Sequence, residues 1–174
     1  MTDPDGLERL WTPHRMAYVQ SAAEEPAPDP DLPVCPFCRI TRDPETSHDD
    51  ELVVVRGKTA YAVLNLYPYN PGHLMLLPYR HVADYTDLDD AETAEIALLT
   101  KQALETIRRI AQPHAFNVGL NLGGVAGGSL SGHLHQHVVP RWSGDANFMT
   151  VIAGTKTLPQ LLGETRDLLA DAWR

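Results

Sequence analysis

Residues 131–142 read SGHLHQHVVPRW, a short apolar segment in which three of the chain's eight histidines, His133, His135 and His137, stand at alternate positions. Alternation of this kind marks a strand, where successive side chains point to opposite faces and residues two apart lie about 6.5–7 Å apart on the same face. The three imidazoles therefore share one surface, and Leu134, Gln136 and Val138 share the other. A row of imidazoles is a poor core, because each buried ring needs a partner for both nitrogens. Two chemical readings remain: a metal bound by His-x-His, or a nucleophilic histidine oriented by its neighbours.

The loop that leads into the segment, GGVAGGSLSG (residues 123–132), separates the two. Its glycines leave many backbone N–H groups unshielded and Ser129 adds a hydroxyl, a combination that binds phosphate oxygens. It is not a Walker loop: Gly123 and Gly128 have the right separation, but Ser129 follows directly where a lysine is required. A neutral imidazole facing a phosphate cradle is suited to attack phosphorus, since one nitrogen can be the nucleophile while a hydrogen bond at the other fixes the tautomer.

Further out, ELVVVRG and TAYAVLNLYP read as two strands around a turn at Gly57 and Lys58, GHLMLLP as a third, and AFNVGLNLG as a fourth; the histidine segment makes the fifth. From Asp89 to Ile110 apolar residues recur at three and four spacing, with acids in the first turn and Arg108 and Arg109 in the last, which predicts a long helix. TLPQLLGETRDLLADAWR ends the chain as an amphipathic helix with Pro159 in its first turn. The order strand, strand, strand, helix, strand, strand, helix predicts an α+β domain: an antiparallel sheet of about five strands with one long central helix, a C-terminal helix, and the helices on one face.

Residues 1–34 separate from this body as an N-terminal arm whose end, SAAEEPAPDPDLP, is an extended linker rich in proline and acid, so residues 35–174 are expected to form a single domain. A second polar loop is expected at residues 41–50. The chain's 174 residues, 43% hydrophobic, suit one core. A net charge of −9 argues against a nucleic-acid or anionic-membrane partner, while a small anion held by local donors stays possible. No apolar run reaches the roughly 20 residues of a membrane helix and the first residues lack a signal pattern, so a cytoplasmic location is expected. The only cysteines, Cys35 and Cys38 in CPFC, exclude a disulfide scaffold. One such pair is half a zinc site at most, and two buried thiols beside Phe37 or a redox pair are the other readings.

The run from His133 to Val139 resembles the signature of the histidine-triad (HIT) superfamily of nucleotidyl hydrolases and transferases, in which His and apolar residues alternate; Gln136 stands at one apolar position, on the face turned away. The likeness extends over NLYPYNPGHLMLLPYRH, the helix after it and NVGLNLG, roughly Cys35 to Trp142. It implies that His135 is the nucleophile, that His137 contacts the α-phosphate, and that Ser129 and the Gly128 amide bind phosphate oxygens. Asn65 would then meet the ribose, Asn121 the phosphate or sugar, and His73 would be a further site histidine. Members with the cysteine pair complete a structural zinc with residues corresponding to His81 and His133.

The flanks of the triad look like the bacterial branch that includes diadenosine tetraphosphate phosphorylases. That implies a dinucleoside polyphosphate and inorganic phosphate as substrates, ADP and ATP as products, and a two-fold homodimer. A hydrolase, an adenosine phosphoramidase and a nucleotide-binding regulatory protein without turnover are the alternatives. Trp142 would stack on the second adenine or wall the acceptor channel, if it does not simply pack; Arg141 suits either the polyphosphate chain or an ion pair.

Overall fold

The computed structural model describes residues 35–42, 52–126, 130–145 and 160–174. Its strands are β1 (Val53–Arg56), β2 (Ala60–Leu64), β3 (Leu74–Pro78), β4 (Ala115–Leu120) and β5 (Gln136–Arg141); its α-helices are α1 (Pro36–Arg42), α2 (Asp90–Ala111) and α3 (Leu162–Ala172). The strands form one sheet in the order β1-β2-β3-β5-β4, every pair antiparallel. The α+β class, the five antiparallel strands, the long helix and the C-terminal helix are as the sequence predicts.

Alternation within β2, β3 and β5 builds two cores. Ala60, Ala62, Leu64, Leu74, Leu76 and Val138 face Ile96, Leu99, Ala103 and Ile107 of α2 and Leu169 of α3. Tyr61, Val63, Met75 and Leu77 point the other way and are covered by Phe37 and Ile40 of α1. Not all helices therefore lie on one face. Strands β2 and β3 are apolar at every position, so both of their faces need a cover, and the seven-residue α1 supplies the second.

Helix α2 begins with a capping box: the Asp89 carboxylate accepts from the Glu92 N–H at 2.8 Å while the Glu92 carboxylate accepts from the Asp89 N–H at 3.0 Å. Glu92 also accepts from Arg80 Nε at 2.7 Å, which ties the residue before His81 to the helix N-terminus. The helix stops at Gln112, whose φ of 45° is the left-handed C-terminal conformation. Helix α3 starts at Leu162, later than the sequence suggests, and Pro159 lies outside the described residues. So do the N-terminal arm and most of the polar loop at 41–50, of which residues 41 and 42 close α1.

Strand β5 likewise begins later than expected. Register pairs Leu74 with Val138 and Leu76 with Gln136, so the next rung would set Leu134 against Pro78. Proline has no N–H to give to a ladder. The Pro78 carbonyl instead accepts from His133 Nε2 at 3.0 Å, and the Leu134 N–H turns to the Val82 carbonyl at 2.6 Å. His133 and His135 thus precede the strand and only His137 lies in it. Among the described residues no helix is long and apolar enough to cross a membrane.

Candidate functional site

The expected division of faces holds beyond the strand itself. Val138 enters the helix-side core, Gln136 donates to Thr100 Oγ1 of α2 at 2.7 Å, and Leu134 is buried. On the other face the ring centroids of His135 and His137 are 4.9 Å apart, and Phe37 of α1 packs against both His133 and His135, at 5.5 and 5.3 Å.

Hydrogen bonds fix which nitrogen of each ring carries a proton. The His73 ring, fully buried at 0% exposure, accepts at Nδ1 from the Tyr69 N–H at 3.0 Å and from Asn65 Nδ2 at 3.4 Å. Nδ1 is therefore bare and the proton sits on Nε2, which donates to His137 Nδ1 at 2.9 Å. His137 in turn must carry its proton on Nε2, and that nitrogen, buried, has no partner among the described residues. Burial, with His137 and His135 nearby, pushes His73 down to about 3, and burial with His135 pushes His137 down to about 4, so both are neutral near pH 7. His135 Nδ1 donates to the His133 carbonyl at 2.8 Å, which leaves its Nε2 lone pair as the available nucleophile. The site thus offers one bare nitrogen beside one N–H donor, the pair needed to attack a phosphorus and bind its oxygen.

Cys35, Cys38, His81 and His133 converge next to it: their ligand atoms all lie within 4.8 Å of one another. Sγ–Nδ1 separations are 3.5 Å for Cys35 and His133, 3.3 Å for Cys38 and His81, and 3.5 Å for Cys38 and His133. Bonds of about 2.3 Å to sulfur and 2.0–2.1 Å to nitrogen imply tetrahedral edges of about 3.5 Å. The donor set fits a metal ion. Burial and the neighbouring Cys35 push the Cys38 thiol up to about 11, so the protein alone does not favour a thiolate there and a cation is required to form one. The bond from His133 Nε2 to the Pro78 carbonyl orients that ring with Nδ1 toward the other three ligands.

A cleft of about 480 Å³ opens beside His137 on the β4–β5 side, lined by Tyr69, Asn117, Asn121, Val139 and Arg141 among others. Asn65 reaches the site through His73 and its Oδ1 accepts from the Tyr67 N–H at 3.0 Å. Trp142 is set apart: its indole N–H donates to the Ala111 carbonyl at 3.2 Å, and it lines a separate cavity of about 370 Å³ under α2 and α3. Gly128 and Ser129 lie outside the described residues. Sequence reasoning passed over Tyr69, which shapes the cleft, and Asn117. It also left Arg141 undecided and did not name its acid, which is Asp145, four residues on: Arg141 Nε donates to Asp145 at 2.6 Å.

A family model described as the HIT domain matches residues 46–144. The chain belongs to the HIT family. Among HIT relatives, an AP-4-A phosphorylase of Mycobacterium tuberculosis (strain H37Rv) is 56% identical over 170 residues, 97% of this chain and 86% of that protein. An asymmetrical bis(5'-nucleosyl)-tetraphosphatase of Schizosaccharomyces pombe is 31% identical over 93 residues, 53% of this chain and 50% of that one. A zinc-bound histidine triad family protein from Mycobacterium smegmatis superposes with a TM-score of 0.64 at 25% identity, covering 80% of this chain and 92% of that chain.

Proposed function

We propose that this HIT protein is a nucleotidyltransferase that phosphorolyses diadenosine tetraphosphate to ADP and ATP through an adenylyl-histidine. The observation that carries the reading is the tautomer set by hydrogen bonding, a bare Nε2 on His135 next to an N–H on His137 that has no partner among the described residues. His135 Nε2 attacks the α-phosphorus, its P–N bond forms as the bond to the β-bridging oxygen breaks, and ATP leaves. Inorganic phosphate then attacks the same phosphorus, the P–N bond breaks, and ADP leaves with His135 restored. His137, Ser129 and the Gly128 amide neutralise the oxygens of the phosphorus in flight, a role in which loss of one donor costs on the order of 10²–10³ in rate. Asn65 takes the ribose and Asn121 the phosphate or sugar. Trp142, in its separate cavity, holds the end of β5 to the long helix.

Cys35, Cys38, His81 and His133 would hold zinc, whose part is structural: it joins the segment carrying α1 to the residue two before the nucleophile. Residues 35–174 are read as one domain. The exposed edge strand β4, with Val118 outward and Leu98 exposed on α2, supports a two-fold homodimer through the long helix and that edge. Reduced cysteines at a ligand site accord with a cytoplasmic location.

Product chromatography with and without phosphate tests the reaction. ADP plus ATP appearing only with phosphate is expected, and His135→Ala abolishes it. AMP plus ATP without phosphate would make the enzyme a hydrolase. Turnover of adenosine phosphoramidates to AMP alone would make it a phosphoramidase, and binding without products a regulatory protein. Equal rates in wild type and His135→Ala would remove the nucleophile assignment.

A further inference from the structure

Arg141 stands on β5 four residues beyond His137, on the same face. Its Nε and Nη2 donate to the Asp145 carboxylate at 2.6 and 3.0 Å and its Nη1 donates to Asn117 Oδ1 at 2.8 Å. The two charges are not equivalent to an approaching ligand. The Asp145 side chain is only 10% exposed and also accepts from Asn70 Nδ2 at 2.7 Å, whereas the Arg141 side chain is 44% exposed. The carboxylate lies beneath as a backing, and the guanidinium is the part that meets solvent. Three of its five N–H groups are committed, which leaves one on each Nη.

The bond to Asn117 also decides where that cation stands. Asn117 pairs with Val139 and Gly119 with His137, so the guanidinium is drawn back toward the 117–139 rung, about 6.5–7 Å along the strands from the rung of His137. On the His137 rung itself the floor is bare, since a Cβ built on Gly119 would meet nothing within 4 Å. Arg141 is the one Arg or Lys among the described residues lining this cleft, in a chain whose net charge of −9 repels anions at large.

We propose that Arg141, held by Asp145 and Asn117, binds a phosphate of the substrate beyond the one that is attacked, and so makes the enzyme favour long polyphosphate chains over a single phosphate. A polyphosphate whose α-phosphorus rests against His135 and His137 crosses the bare floor at Gly119 and brings a later phosphate to the two remaining guanidinium N–H groups. A planar fork with two parallel donors suits phosphate oxygens, and the backing carboxylate spares it the cost of ordering. The subsite rests on the adenylyl-transfer reading of the neighbouring histidines.

The experiment compares kcat/KM for diadenosine tetraphosphate with kcat/KM for adenosine 5'-phosphoramidate, which has a single phosphorus, in wild type, Arg141→Gln, Arg141→Lys and Asn117→Ala. The ratio of the two donors is expected to fall by about tenfold or more in Arg141→Gln, mainly through KM for the tetraphosphate. Arg141→Lys recovers part of it, and Asn117→Ala lowers it in the same direction. A ratio within about twofold of wild type in Arg141→Gln overturns the subsite, including the case in which both donors decline together because the pair with Asp145 is merely structural. Should Arg141→Gln not fold, Asn117→Ala, which leaves the pair with Asp145 in place on an exposed strand, decides by the same ratio. If the wild type turns over neither donor, the adenylyl-transfer reading fails separately. The subsite is then read by calorimetry: adenosine tetraphosphate binding no tighter than AMP, or tighter by the same factor in wild type and Arg141→Gln, overturns it.

Discussion

Replacing His73 by phenylalanine keeps an aromatic ring in a fully buried place while deleting both ring nitrogens. The change removes the acceptor of the Tyr69 N–H and the donor to His137 Nδ1. Tyr69 is more than half exposed and its N–H can turn to water, but His137 Nδ1 is left short of a partner inside the protein, at a cost of about 1–3 kcal/mol. This deficit is expected at pH 8. Acid should erase it. An ordinary histidine takes up a proton near pH 6.5, while burial, then His137 and His135, hold folded His73 down to about 3. Below pH 6.5 the unfolded chain binds a proton that the folded ring refuses, so this stabilisation is whole above pH 6.5 and is lost as pH falls toward 3. At pH 5 the wild type has given up about 2 kcal/mol that the non-titrating phenylalanine never held. Urea unfolding followed by tryptophan fluorescence at pH 8 and pH 5 measures both deficits, and the variant should draw level with wild type, or pass it, at the lower pH. A deficit of equal size at both pH values would refute the buried neutral His73. Turnover at pH 8 should fall about 10–100-fold, because His137 no longer has its proton fixed on Nε2.

Protein purified without chelator should hold close to one zinc per chain; Cys38→Ser loses it and unfolds at a lower temperature, and finding no metal in the wild type would remove the site. Burial alone would raise the Glu95 carboxyl, but donors from Thr59, Lys58 and Ala60 outweigh it and hold the group at about 2, so its contribution is present above about pH 4.5 and lost as pH falls toward 2. After allowance for solvent screening, Glu95→Gln should cost about 1–2 kcal/mol at pH 7 and almost nothing near pH 2, as read from urea midpoints. A Cβ at Gly57 would stand 2.8 Å from the Ala60 carbonyl oxygen and 2.6 Å from a Glu95 carboxylate oxygen. Gly57→Ala should therefore lower stability by about 1–3 kcal/mol, and a melting temperature equal to wild type would contradict the packing of this turn.

The sheet and α2 were legible because their patterns are long enough to show a period. The acids in the first turn of α2 were visible residue by residue. The need of β2 and β3 for a cover on both faces was not drawn from their sequence, which is why all helices were expected on one face. Helix α1 was not legible. Seven residues carry less than two turns, and what holds them is the contact of Phe37 and Ile40 with β2 and β3, which no local pattern announces. The start of β5 was misjudged because the register with β3 decides it, and Pro78 ends that ladder from 58 residues or so upstream of Gln136. Faces were legible in the triad; proton positions were not, since they depend on the Tyr69 N–H reaching His73. The convergence of Cys35 and His133, 98 positions apart, likewise belongs to tertiary structure, and only the resemblance to HIT proteins suggested it. The roles of Arg141 and Asn117 come from opposite strands of one ladder, a pairing invisible until the register is known.

Strand β5 gives its even positions to the hydrophobic interior and its odd positions to the reacting surface. Slipping it by one residue would put His137 under α2 and Val138 on the face that carries His135. The length of chain from His133 to Arg141 is therefore incompressible: an insertion or deletion there would cost the enzyme its interior and its chemistry together. Length changes that the protein can survive belong in the segments between elements, so gaps in comparisons with distant kin should fall outside this nine-residue stretch.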